Sequence, residues 1–206
     1  MSFRLQALVS RGFVVASLAA FSFFGYGCGG NSSSTLGAQF AASGTPSAVR
    51  LVKLVPKTAS GSFVVVQAII YGPDTLLDMY SIDFDVTIGD TGLLKFISGS
   101  AVAGNALTQF AGQTIEATAS PNMSDASRIE VHVHKSGGGV GNGVAGASAV
   151  IVELTFNAVM SGTSTLAIAG APAPTVTDHN GAAIVTINFD SASGSVTSIS
   201  SGGGPY

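Results

Sequence analysis

Tryptophan is absent from this chain, and cysteine occurs once, at position 28. No disulfide can form within the chain, so burial and hydrogen bonding must hold the fold together. Charge is scarce: Asp, Glu, Lys and Arg make up 9% of residues. That is a poor match to the charged helical exterior of a cytosolic α/β enzyme. Beyond residue 27 the basic residues are Arg50, Lys53, Lys57, Lys95, Arg128 and Lys135, set against 11 acidic ones. This acidic excess, without clustered Lys or Arg, argues against a nucleic-acid partner. It argues equally against electrostatic docking on anionic lipid. No apolar run reaches the roughly 20 residues that a membrane-spanning helix needs. No stretch keeps a helical period long enough to require a long helix; Gly99–Phe110 has room for a single turn of one.

The amino end has its own organisation. Arg4 and Arg11 precede a 13-residue uncharged run, Gly12–Phe24, and Gly25 and Gly27 lead into Cys28. That order is the pattern of an export signal rather than a fold element. It resembles a bacterial lipoprotein signal, which implies a lipid-modified Cys28 as the first mature residue. Gly25 stands where such signals usually carry Leu, so ordinary signal-peptidase cleavage with an incidental Cys28 stays open. Membrane attachment is thus expected only through lipid on Cys28, with the protein otherwise secreted. Residues 1–27 are assigned to the signal. The Gly/Ser/Ala-rich residues 28–47 are read as a flexible tether, 48–200 as the folded domain, and 201–206 as a tail.

From Val49 onward, short runs alternate with period two. Met79–Ile88 does so cleanly: Tyr80, Ile82, Phe84, Val86 and Ile88 face one way, and Ser81, Asp83, Asp85 and Thr87 the other. Further strands are predicted at Val49–Val55, Ser62–Tyr71, Leu93–Ile97, Gln113–Ala119, Arg128–His134, Ala149–Val159, Thr165–Ala169, Ala182–Phe189 and Gly194–Ile199. Turn signals such as Gly72-Pro73-Asp74, Gly89-Asp90 and Asp178-His179-Asn180-Gly181 separate them. Nine or ten short strands with this punctuation predict an all-β, antiparallel β-sandwich.

Three stretches then resemble the cohesin family. The first is Met79-Tyr80-Ser81-Ile82-Asp83-Phe84-Asp85-Val86, followed by Leu93-Leu94-Lys95-Phe96-Ile97. The second is the glycine-rich Gly137–Gly146 running into Ala149–Ala158, which ends Leu-Thr-Phe-x-Ala. The third is Gly162–Ile168, then Asp178–Gly181 and a closing strand through Phe189. The resemblance covers about residues 49–199. It implies a nine-stranded jelly-roll sandwich related to some carbohydrate-binding modules. It also implies a protein partner of the dockerin kind, a calcium-loaded module, met in part through the strand that contains Asp83 and Asp85. The chain has no D-x-[DN]-x-[DN]-G loop of its own.

The candidate partner-binding residues are Asp83, Asp85, Glu130, His132 and His134. Glu130, His132 and His134 occupy positions i, i+2 and i+4 of one strand and so share a face. If that strand lies beside Met79–Ile88, two histidines approach two aspartates. Such a group suits a polar contact surface or a charge that changes near neutral pH, as histidines do. The bland alternative is the solvated side of two amphipathic strands. No third metal ligand is set by short spacing, so no metal is assigned. Asp78, Asp90 and Asp178 lie near loops without the oxygen-rich spacing of a calcium cage; structural calcium is left open, and no cofactor is assigned.

The run Gly137–Gly143 lacks the Lys-Ser/Thr of a phosphate-binding loop and is read as a hairpin connection. There is no G-x-S-x-G elbow and no announced carboxylate pair, so no catalytic residue is assigned and a non-enzyme is expected. Three functions follow, in order: an anchored module that binds a protein partner, a module that binds polysaccharide, and a structural subunit that joins neighbours by strand addition through Gly194–Tyr206. Tyr71, Tyr80 and Tyr206 offer no flat stacking platform for sugar.

Overall fold

The computed structural model describes residues 35–45, 48–72, 78–107, 112–137, 148–192 and 194–201. The signal segment, Cys28, most of the glycine-rich run and the tail beyond Ser201 lie outside them. Alternation of apolar and polar residues gives β1 (Thr35–Ala41), β2 (Leu51–Ser60), β3 (Phe63–Tyr71), β4 (Ser81–Ile88), β5 (Leu94–Phe96) and β6 (Val102–Ala103). Then come β7 (Thr114–Pro121), β8 (Arg128–Ser136), β9 (Ser148–Ala158), β10 (Gly162–Ile168), β11 (Thr175–Thr177), β12 (Asn188–Phe189) and β13 (Gly194–Ser201).

These strands form two facing sheets, a jelly-roll sandwich. One has the order β1-β13-β10-β4-β8-β7, with β11 also beside β4. The other has the order β12-β2-β3-β9-β5, with β6 also beside β9. The pairs are antiparallel except β12 with β2, which run parallel. Between the sheets lie Val52, Leu54, Val66, Ile70, Ile82, Phe84, Val86, Val131, Leu154, Phe156 and Leu166, all buried. Pro56 sits in β2 beside a register shift, where a missing N–H costs the ladder least. The single turn of helix allowed over Gly99–Phe110 does not form among its described residues, which instead carry β6.

Two expectations need correction. Residues 35–41, read as part of the tether, form β1 and pair along their whole length with β13, from Thr35↔Ser201 to Ala41↔Ser195. Ala38 and Phe40 point into the core. Composition misled here, because small residues also suit a strand laid over a close neighbour. Gly194 is that neighbour: a Cβ there would lie 2.3 Å from Phe40 Cζ and 2.8 Å from the Ala41 carbonyl oxygen. The folded domain therefore starts at residue 35 or before, not at 48.

The second correction concerns Ala182–Phe189. The Asp178 carboxylate accepts from Asn180 N–H at 2.9 Å and from Ala182 N–H at 2.8 Å, closing a turn. Ala183 then bridges back to Thr177, and only Asn188–Phe189 continues as a strand, in the opposite sheet. The strand was predicted too long because part of the segment serves as a crossover.

Gly194→Val is expected to push Phe40 from its site and lower stability by about 1–3 kcal/mol, the usual cost of overpacking. Phe40→Ala should cost about 3–5 kcal/mol. Denaturant unfolding checks both; wild-type midpoints in the two variants would mean that β1 adds nothing to the fold.

Candidate functional site

The site is built on one antiparallel pairing. β4 and β8 run side by side in the register Ser81↔His134, Asp83↔His132, Asp85↔Glu130 and Thr87↔Arg128. Ile82, Phe84, Val86, Ile129, Val131 and Val133 fill the core side. Burial of that apolar set forces the polar set onto the outer face. All five residues singled out from the sequence therefore meet on one surface.

His132 Nδ1 lies 2.8 Å from Asp83 Oδ1. His134 Nε2 lies 3.6 Å from Glu116 Oε2 on β7, the next strand out. Asp85 faces Glu130, a like-charge pair that would repel unaided. Two neighbours relieve it. Arg128 Nε stands 3.1 Å from Asp85 Oδ2, and Asn122 Nδ2 donates to Glu130 Oε1 at 2.6 Å. Asp85 is only 8% exposed, so it does not belong to a fully solvated face. Desolvation pushes its carboxyl above the usual range and Glu130 adds to this, while Arg128 and His132 pull the other way.

A gap in the fold opens this surface into a cleft. β10 accompanies β4 from Ile88 to Val86, and β11 resumes beside Asp83. Between them Gly170-Ala171-Pro172-Ala173-Pro174 leaves the ladder, since proline cannot donate to it. Ala169 N–H still donates to the Asp85 carbonyl at 2.8 Å, and Arg128 Nη2 donates to the Ala171 carbonyl. The result is an open cleft of about 390 Å³, lined by Asp83, Asp85, Asn122, Arg128, Glu130 and His132 and walled by Pro172, Ala173 and Thr175.

Sequence reasoning passed over Arg128, Asn122 and the proline wall. The alternation of β8 extends to Arg128 and was the one available signal. It also passed over Met123, wholly exposed at the tip of the β7–β8 hairpin. Asn122 Oδ1 holds that tip by accepting from Ser124 N–H at 2.9 Å and Asp125 N–H at 3.0 Å. A rigid hairpin thus presents a large apolar side chain beside the cleft.

The remaining carboxylates do other work. Asp90 Oδ1 accepts from Gly92 N–H at 2.8 Å. Asp178 closes the turn described above, and Asp78 contacts His179 Nδ1. Lys135, 2% exposed on the core side of β8, is held below the usual lysine range by desolvation, partly offset by Asp78. Among the described residues no group of three or more His, Cys, Asp or Glu is arranged to hold a metal ion.

No protein-family model matches the sequence, and no curated protein matches it. The solved structures to which the chain is similar include cohesin modules. The sixth cohesin of scaffoldin B from Acetivibrio cellulolyticus, solved in complex with a Cel5 dockerin mutant, is 23% identical. That match covers 64% of this chain and 86% of that one, at a TM-score of 0.43. The second type II cohesin module of the adaptor ScaA scaffoldin from the same organism is 8% identical over 85% of this chain and 94% of that one, TM-score 0.46. A cohesin module of a Clostridium perfringens family 33 glycoside hydrolase is 12% identical over 82% and 97%, TM-score 0.36.

Asp85 gives a signed pH expectation. Its folded pKa is raised, so the native state binds more protons than the unfolded chain from about pH 4 up to that raised value. Its contribution to stability is lost as pH rises through that window. Asp85→Asn removes this dependence, so the variant should gain stability relative to wild type across the window. Urea unfolding at stepped pH measures the difference; a flat or falling difference would contradict the raised pKa.

Proposed function

We propose that this chain is an exported, non-catalytic binding module of the cohesin kind that takes a dockerin-like protein partner on the outer face of β4 and β8. The observation that carries the reading is the row Asp83–His132 and Asp85–Glu130 around an open cleft on a sheet held rigid from behind. A preformed polar surface beside a projecting apolar anchor, Met123, is the anatomy of a protein-binding face. The sequence resemblance runs through the same strand. The cleft is lined by carboxylates and bounded by proline, and its one aromatic lining residue, Phe84, is 3% exposed with its ring in the core, so the protein reading is favoured over polysaccharide.

The test is affinity capture on the immobilised domain from the medium of cells that make the protein, with calcium and again with a chelator. A dockerin-like partner is retained only with calcium. Asp83→Ala combined with Asp85→Ala should weaken retention at least tenfold, and Met123→Asp should do likewise. Full retention by the double variant would exclude this face, and the absence of any calcium-dependent partner would exclude the reading.

In the same proposal the signal through residue 27 is removed and Cys28 carries lipid at the outer membrane or cell surface. Residues 29–34 then separate the anchor from β1, a span of at most about 25 Å. The domain would stand close to the membrane, not at the end of a long tether. Cys28→Ser should shift the protein from the membrane fraction to the soluble one and abolish incorporation of labelled fatty acid. Labelling that survives the substitution would remove Cys28 as the anchor.

A further inference from the structure

The sheet edges are closed in different ways. In the six-stranded sheet the outermost strands are short: β12 has two residues, β5 three and β6 two. Short edges resist pairing with another chain. In the seven-stranded sheet, β1 is tied across the sandwich, because Ala38 N–H donates to the Gly61 carbonyl in the β2–β3 turn at 2.8 Å. β7 differs from all of these. It has eight residues and pairs with β8 from Thr114↔Ser136 to Pro121↔Ile129 without a register shift. Among the described residues, β8 is its only strand partner. Its protections are few: one charge, Glu116, no lysine, no bulge, and a proline only at its last position.

The direction of its backbone groups follows from the ladder. Asn122 N–H donates to the Arg128 carbonyl, while Lys135 N–H turns away from β7 to the Tyr80 carbonyl. Hydrogen-bonded pairs alternate along an antiparallel ladder. Ile115, Ala117 and Ala119 therefore point their N–H and C=O groups away from β8, out of the sheet. The side chains of these same three residues pack only partly against the core. Among the described residues, no further strand continues the backbone ladder or the apolar row beyond β7.

We infer that β7 pairs with β7 of a second copy, antiparallel across a two-fold axis at Ala117, joining the two seven-stranded sheets into one. Charge and chemistry select this occupant and register. Ala117 meets its own mate, Ile115 meets Ala119, and Glu116, the only charge on the strand, meets Thr118. An axis at Glu116 would oppose two carboxylates. An axis at Thr118 would set Ile115 against Pro121, which has no N–H to give. The contact is isologous and closes as a dimer. Because the axis is perpendicular to the sheet, both clefts face the same way, which suits a partner with two binding modules. This inference stands apart from the identity of that partner.

Sedimentation velocity of the purified protein at rising concentration tests it. The expected result is reversible growth from monomer to dimer mass. Thr118→Glu places carboxylates opposite Glu116 of the mate at both ends of the pairing and should weaken the dimer at least tenfold. Thr118→Arg, which pairs with that Glu116, should keep it. Thr118 is exposed in the single copy, so circular dichroism and melting temperature should match wild type in both variants. A wild-type protein that stays monomeric throughout would overturn the inference. So would a dimer indifferent to Thr118→Glu, or one lost equally in both variants.

Discussion

In an antiparallel ladder a slip of one residue turns every side chain of a strand to the opposite face. The pairing of β4 with β8 is protected against such a slip by Ile82, Phe84, Val86, Ile129, Val131 and Val133, which leave water together or not at all. Each side chain of that size is worth about 1.5–3 kcal/mol in burial. The polar row on the other side has no comparable energy of its own. It is assembled because the apolar row behind it must be. Asp83 meets His132, and Asp85 is held opposite Glu130 despite their charge. The core thus enforces an arrangement that the surface groups alone would avoid.

Enforced contacts of this sort have consequences for chemistry. Asp85 sits in a partly dry position beside another carboxylate, and Arg128 is the local counter-charge that makes the arrangement tolerable. Arg128 also holds the proline-containing loop through the Ala171 carbonyl, so one guanidinium both screens the acid and fixes the cleft wall. Elsewhere the sandwich handles charge more simply. On the outer face of the other sheet Glu153 is met by Lys57 at 2.6 Å and by Gln67 at 2.9 Å, and its carboxyl is held below the usual range by the Lys57 hydrogen bond. Two sheets of similar construction therefore present different surfaces: one neutralised locally, the other acidic and open.

Much of this was legible in the sequence. The alternation over Met79–Ile88 and the i, i+2, i+4 set Glu130, His132, His134 were enough to assign faces, since period two is a property of the extended backbone. The cleft was not legible. It depends on β10 and β11 being two pieces of one path beside β4, interrupted at Gly170–Pro174. Nothing local to that loop says which strand it leaves uncovered. β1 was missed for a related reason: its Gly/Ala/Thr composition is that of a tether unless Phe40 finds a place under Gly194, 154 positions away.

Alternation, turn residues and scarce charge by themselves determined an all-β sandwich and the membership of its polar faces, because those follow from backbone geometry and the cost of burying charge. Only the tertiary structure decided which strands became neighbours. With that came the partner each carboxylate met, the place where a ladder broke to leave a cleft, and the position of β7 beyond β8 at the end of its sheet among the described residues. These depend on contacts between segments far apart in the chain, and no local pattern carries that information.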